Sequence, residues 1–294
     1  MMMKFERIYF PFIFVLALAL FVGCPGKKKP IDPDGPDEPQ KEETQDILPE
    51  GKLYAVPDLD LKMIWIPPGK FVMGSPKSEP GHRHDEEELH QVTISRGFWI
   101  GQFEVTQAQF ETILGENPST FKDPRMPVHK VKWEEAMEFC EALTDREKSV
   151  NRMPDKWGFN LPTEAQWEYA CRADTTTVFH FGNEAEELPQ YGWFADNSDG
   201  SPKTIGTKKP NAWGIHDLHG NMGEWCFDWY GKAYPVDGSV DPITKKASAF
   251  KVFRGGTYTD IADRCRAAYR NRITPDTRNP WIGFRVVLMR KYFE

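Results

Sequence analysis

Twenty-three glycines and 24 prolines are spread through a chain of 294 residues, of which 13% are aromatic. Both residue types interrupt helices: glycine by its backbone freedom, proline by its missing N–H. A helical bundle is therefore excluded, and a loop-rich α+β or β-rich fold accommodates the composition. Each buried ring removes a large apolar area from water, so the chain cannot be disordered throughout. The net charge is −7 and no basic stripe is present. Nothing here is built to neutralise phosphates, and no nucleic-acid partner is expected.

The first residues read as a targeting segment. Lys4 and Arg7 precede an apolar run from Ile8 to Val22, followed by Gly23-Cys24. The run has the length of a signal-peptide core and is short for a membrane span. Leu20-Phe21-Val22-Gly23-Cys24 resembles a bacterial lipobox, with Phe21 where leucine usually stands. The resemblance implies removal of residues 1–23 and acylation of Cys24, with two or three chains giving a stable anchor. An uncleaved signal anchor is the alternative. Residues 25–52 hold six prolines, eight acidic residues, five lysines and no aromatic residue. Such a segment cannot bury a core, so residues 24–52 are expected to form a disordered tether. Lys27-Lys28-Lys29 reads as a solvated charge run rather than a headgroup contact. Residues 53–294 suit one large domain.

Within that domain, Met63 to Gly74 reads as two short strands joined by a Pro-Gly turn. His90–Ile94 alternates like a strand, and Phe98 opens another. Thr106 is a candidate N-cap for a helix through Leu114. Residues 133–143 carry apolar side chains near helical spacing. Thr163 and Gln166 are placed as a capping box for a third helix. Beyond Arg172 the chain reads mainly as turns and aromatics, with late strands at 251–254 and 284–288.

Several segments, taken in order, carry a resemblance. They are Trp65-Ile66-Pro67-Pro68-Gly69, Phe71-Val72-Met73-Gly74-Ser75, Glu104-Val105-Thr106-Gln107, Pro127-Val128, the run Leu161 to Ala170 (LPTEAQWEYA), Asn211-Ala212-Trp213-Gly214-Ile215, Gly220-Asn221-Met222-Gly223-Glu224-Trp225, Arg254-Gly255-Gly256-Thr257 and Gly283-Phe284-Arg285. Together they resemble the sulfatase-modifying factor family, that of the formylglycine-generating enzyme, from about Met63 to Leu288. The resemblance implies a compact α+β fold, C-type-lectin-like, loop-rich and low in regular secondary structure.

In that enzyme two cysteines shortly after a Gly-Gly-Ser segment bind copper and oxidise a sulfatase cysteine. Thiolates are soft ligands suited to Cu(I), and a single one cannot build a two-sulfur site. Here Asp260 stands at the first catalytic position. Cys265, in Cys265-Arg266-Ala267-Ala268-Tyr269-Arg270, resembles the family's structural cysteine. No catalytic residue is assigned, copper is not expected, and formylglycine generation is disfavoured.

The resemblance further implies a Cys171–Cys265 disulfide, leaving Cys140 and Cys226 free or paired together. Four reduced, buried cysteines are the alternative. It also implies a calcium site in Asp217 to Glu224, with side-chain oxygens from Asp217 and Glu224 and carbonyls from Gly220 and Met222. Calcium takes roughly six to eight oxygen ligands, which such a turn can supply in part. The competing reading is a buried turn in which Asp217 and Glu224 accept backbone N–H bonds.

His82 and His84 among carboxylates have zinc-like spacing, but a solvated charged loop explains them better. Trp225 and Trp229 can line a cleft or fill the core, and packing favours the core. Arg266, Arg270, Arg272 and Arg285 suit buried ion pairs or a carboxylate-binding patch.

The expectation is a lipid-anchored, non-catalytic binding or scaffold module outside the cytoplasm, in contact with an envelope protein or glycan. Relatives of the family serve as lipoprotein components of gliding and secretion machinery. The alternative is an oxidoreductase related to the formylglycine-generating enzyme, either maturing sulfatases or carrying altered oxygen chemistry.

Overall fold

A computed structural model describes residues 48–84, 89–231 and 238–291. Cys24, the apolar run and the tether up to residue 47 lie outside the described residues.

In chain order the strands and helices are β1 (Tyr54–Val56), β2 (Leu61–Ile66), β3 (Gly69–Met73), β4 (His90–Ile94), β5 (Phe98–Gly101), α1 (Gln107–Leu114), α2 (Trp133–Ser149), β6 (Trp157–Asn160), α3 (Glu164–Arg172), β7 (Gly223–Trp229), β8 (Ser239–Val240), β9 (Lys251–Arg254), β10 (Arg270–Ile273), β11 (Ile282–Gly283) and β12 (Val287–Arg290). Fifty residues without a strand or α-helix separate α3 from β7, which is the loop-rich α+β character that the composition demands.

Three sheets organise the chain. An antiparallel five-stranded sheet runs β1-β2-β5-β12-β6, so the late strand β12 fills the gap between β5 and β6. A four-stranded sheet runs β10-β9-β7-β11, and a three-stranded one β3-β4-β8. The Pro67-Pro68 step does more than turn the chain. β2 pairs with β1 and β5 in one sheet, whereas β3 pairs with β4 in another. Two prolines cannot donate to a ladder, so the chain changes sheets at them.

Helix ends follow their sequence chemistry. The Thr106 hydroxyl accepts from the Gln109 backbone N–H while the Gln109 side chain accepts from that of Thr106. Thr163 and Gln166 form the same reciprocal cap on α3. α2 extends six residues past the expected end at Leu143, and its Lys132 start is closed by the Glu135 carboxylate. Of the expected strand at 284–288 only Val287 and Leu288 are strand, at the start of β12, and Phe284–Val286 connect it to the short β11 that precedes them. The buried charges Glu224 and Asp228 in β7 and Arg270 in β10 interrupt the apolar alternation by which a strand is recognised in sequence.

The core is aromatic. Trp99 packs against Tyr54, Trp65 and Trp157, and Phe110, Phe139 and Phe284 form a second group. Packing reaches back to Leu48, which is buried, and the Trp99 indole donates to the Lys52 carbonyl at 2.7 Å. Trp225 is a core residue, its indole held by the Val131 carbonyl.

Buried charges cross-link the layers. The Glu164 carboxylate accepts from Arg254 and from two nitrogens of Arg270. Glu168 accepts from Arg172, from Arg254 and from the Gly74 N–H. These carboxylates project from α3 to β9, β10 and the end of β3, so one helix ties two sheets together. Arg266 pairs with Glu79 at 2.6 Å. Arg272 and Arg270 both lie over the Tyr230 ring, 4.3 Å and 5.0 Å from its centroid. No helix among the described residues is long and apolar enough to cross a membrane.

Candidate functional site

The segment following β9 turns on Gly255 and Gly256, both at positive φ. At Gly256 the requirement is steric as well. A Cβ there would stand 2.6 Å from the Arg264 carbonyl and 2.8 Å from the Cys265 sulfur. The turn therefore folds residues 257–265 back on themselves. The Thr257 hydroxyl donates to Asp260 Oδ2 at 2.8 Å and the Arg264 guanidinium donates to Oδ1 at 3.1 Å. The Asp260 backbone is held too, its carbonyl accepting from the Ala195 N–H at 2.9 Å. Asp260 is thus a fixed carboxylate engaged on both oxygens.

Cys265 contributes no thiolate to this loop. It is fully buried, and burial pushes its thiol pKa up. The same holds for Cys140, Cys171 and Cys226. A soft-metal centre needs deprotonated sulfur, so a carboxylate tied to arginine and one protonated thiol do not fit copper.

All four cysteines are free thiols in the structure, and the Cys171–Cys265 bridge implied by the resemblance is not formed there. His219 associates with both residues. Its Nε2 lies 3.9 Å from the Cys171 sulfur, and its Nδ1 bonds the Cys265 carbonyl at 2.7 Å. Each cysteine is accommodated as a small apolar side chain, Cys171 on the buried face of α3 and Cys265 clustered with Phe179 and Phe194. Burial also pulls the His219 pKa well below the usual imidazole range, and its Nε2 accepts from the His180 N–H.

Behind the loop lies a cluster of buried carboxylates. Arg285 holds Glu224 through two bonds of 2.6 Å, and the Trp167 indole adds a third at 2.7 Å. Glu104 accepts from the Met222 N–H at 2.9 Å and from the Asn221 amide at 2.7 Å. Asp217, at φ 60°, accepts from the Gly206 N–H through Oδ2 at 2.7 Å. Its Oδ1 is buried with no hydrogen-bond partner. Burial, aided by repulsion from Glu224, pushes the Asp217 pKa up to about 6. Burial and the charges of Asp217 and Glu224 hold Glu104 well above the usual carboxylate range. Three carboxylates thus share one guanidinium, which leaves excess negative charge in a low-dielectric site.

That arrangement bears on calcium. Among the described residues no group of three or more His, Cys, Asp or Glu side chains is placed to hold a metal ion. A site built from two carboxylates and two carbonyls is a different case. The unpartnered Asp217 oxygen and the uncompensated charge fit a divalent cation, with Asp217 and Glu224 as side-chain ligands and Gly220 and Met222 as carbonyl ligands. Glu224 is engaged by Arg285 and Trp167 rather than by backbone N–H groups. Arg285 is the buried ion-pair partner that its sequence pattern suits, whereas Glu104 carries no site signal in the sequence although it lies in a quoted motif. Nothing in the spacing of residues 104, 217, 224 and 285 indicates that they converge.

The histidine loop shows a local role: His82 Nδ1 bonds the Ser75 hydroxyl at 2.8 Å.

Residues 55–290 match the profile of the sulfatase-modifying factor enzyme 1-like domain. The chain belongs to that family. It is 29% identical to the chaperone protein LppX of Paenibacillus barcinonensis, over 67% of this chain and 81% of LppX. It is 26% identical to the formylglycine-generating enzyme of Mus musculus, over 76% of this chain and 74% of the enzyme. Among solved structures, Treponema denticola variable protein 1 superposes with a TM-score of 0.72 at 27% identity, covering 80% of this chain and 98% of its own. PvdO from Pseudomonas aeruginosa gives 0.69 at 26% identity, covering 82% and 99%. Relatives similar to this chain therefore include both a formylglycine-generating enzyme and a protein named as a chaperone.

Proposed function

We propose that the chain is a lipid-anchored, non-catalytic binding or scaffold module of the cell envelope, acylated at Cys24 and carrying a structural calcium ion. The observation that carries the non-catalytic reading is the Thr257–Asp260–Arg264 hydrogen-bonded set, standing where a copper-binding enzyme needs a thiolate. Beside it the thiol of Cys265 is buried and held protonated. The loop keeps its shape through hydroxyl, carboxylate and guanidinium, none of which is a soft ligand.

A binding role has support on the same face. Ile261 is 57% exposed next to Asp260. Phe121, 37% exposed, meets the Tyr258 ring edge-on at 6.4 Å. Trp281 is 43% exposed, and its carbonyl accepts from the Gly223 N–H at the start of β7. Large apolar side chains left in solvent around a rigid loop suit an envelope protein that contributes apolar anchors. A glycan is the other partner class that such aromatic faces suit.

The direct trial incubates the protein with Cu(I), oxygen, a thiol reductant and a sulfatase-motif peptide. Mass spectrometry should show the peptide cysteine unchanged. An aldehyde product that vanishes in Cys265→Ser would replace this reading with the oxidoreductase one. The anchor is tested separately: Cys24→Ala should release the protein from membranes and abolish acyl labelling.

A further inference from the structure

A cavity of about 460 Å³ opens between α2, β6 and β12, away from the 257–265 loop. Its volume falls in the range of sites that hold one small molecule. Phe159 and Leu161 form a buried floor. Met137, Phe227, Ile243 and Met289 line the sides and stay half-buried. Two methionines give walls that adapt to a ligand's shape.

The mouth is charged. Lys245 and Lys291 both line the cavity, and neither makes a side-chain hydrogen bond or ion pair among the described residues. Gly158 gives Lys291 its path: a Cβ there would lie 2.6 Å from the lysine Cε, so the bare backbone lets the stem lie across β6. The Asn160 side chain spends its oxygen on the Leu161 N–H and keeps its amide hydrogens to donate. Glu141 is the opposing charge and is likewise unpaired at the rim. The Thr163 hydroxyl is already committed to the Gln166 N–H. Two ammonium groups and an amide donor over an apolar hollow, against one carboxylate, favour a bound anion with an apolar body.

We infer that this cavity binds a free, single-chain amphipathic carboxylate, its apolar body between Met137, Phe227 and Met289 and its carboxylate between Lys245 and Lys291. The site is independent of the calcium cluster and of the face around Asp260.

The experiment titrates the purified chain calorimetrically with decanoate below its micelle concentration, in the absence of any bilayer. Saturable binding at one site is expected, with decyltrimethylammonium at least tenfold weaker. Replacing both lysines, Lys245→Met with Lys291→Met, should weaken decanoate at least tenfold and leave the melting temperature in place, since both side chains are exposed. Glu141→Gln should strengthen decanoate binding severalfold, an effect that simple loss of structure cannot mimic. Equal affinity for the anionic and cationic amphiphiles, unchanged decanoate binding in the double variant, or no saturable decanoate binding by the wild-type chain would each overturn the inference.

Discussion

Arg285 lays the edge of its guanidinium against the Glu224 carboxylate, Nε to Oε2 and Nη2 to Oε1 both at 2.6 Å, with both side chains wholly buried. A further guanidinium nitrogen bonds the Gly101 carbonyl, so β5 is held to β7 through this pair. Arg285→Met leaves the three carboxylates with no guanidinium. The expected loss is about 3–5 kcal/mol in urea denaturation, because a buried charge is left unpaired. An unchanged midpoint would show that the pair is not a structural tie.

The same cluster sets a pH dependence. In metal-free protein Asp217 titrates near pH 6 instead of its ordinary value of 3.8. Between those values the native state keeps a proton that the unfolded chain has released. Stability therefore falls as pH rises from about 4 to about 6, and this contribution is flat above that window. Glu104, also raised, adds in the same direction. Calcium binds the ionised form, so it should raise the melting temperature more at pH 7.5 than at pH 5. Asp217→Asn should abolish the calcium response while keeping an oxygen for the Gly206 N–H. Thermal unfolding with chelator and with added calcium, at both pH values, reads all three outcomes. A chelator-insensitive protein with no bound calcium by elemental analysis would remove the ion.

Much of this was legible in the residues. The capping boxes at Thr106 and Thr163 identify themselves by spacing, because both partners lie within one turn. The aromatic core follows from composition. The long-range part was not legible. That Arg254 would bridge Glu164 and Glu168, and Arg270 would join it, depends on sheets formed by residues some ninety positions away. The Pro67-Pro68 change of sheet was hidden for the same reason, since a proline pair specifies a break but not the next partner. Asp260 was readable as a missing ligand, whereas its engagement by Arg264 required the fold.

Thiol chemistry tests the Cys171–Cys265 pairing. Cys140, Cys171, Cys226 and Cys265 are buried, with pKa values raised by desolvation. A thiol-specific chromogenic reagent at pH 8 should leave all four unlabelled in native, never-reduced protein and label all four in denaturant. Recovery of only two of them in denaturant would restore the bridge.

Gly220 provides a steric test within the proposed calcium turn. Its φ is 110°, and a Cβ would stand 2.1 Å from the Trp193 carbonyl oxygen. Gly220→Ala should cost at least about 2 kcal/mol, since backbone rather than a flexible side chain must move. Gly200 also has positive φ, 68°, but open space around its Cβ position. Gly200→Ala should cost only about 1 kcal/mol. Chemical denaturation of the two variants side by side separates backbone strain from collision.

The placement of β12 between β5 and β6 has a kinetic meaning. Val287 and Leu288 register with Ile100 and Trp99 on one side, and with Asn160 and Phe159 on the other. A ribosome must therefore add nearly 190 residues after β5 before the sheet can close across its middle. Contacts of such sequence separation are slow to form, because the loop entropy is lost before the pairing compensates it. Until those four residues arrive the nascent chain holds two unpaired strand edges, a state open to holding factors and to passage through a narrow translocation channel, and closed to early native compaction.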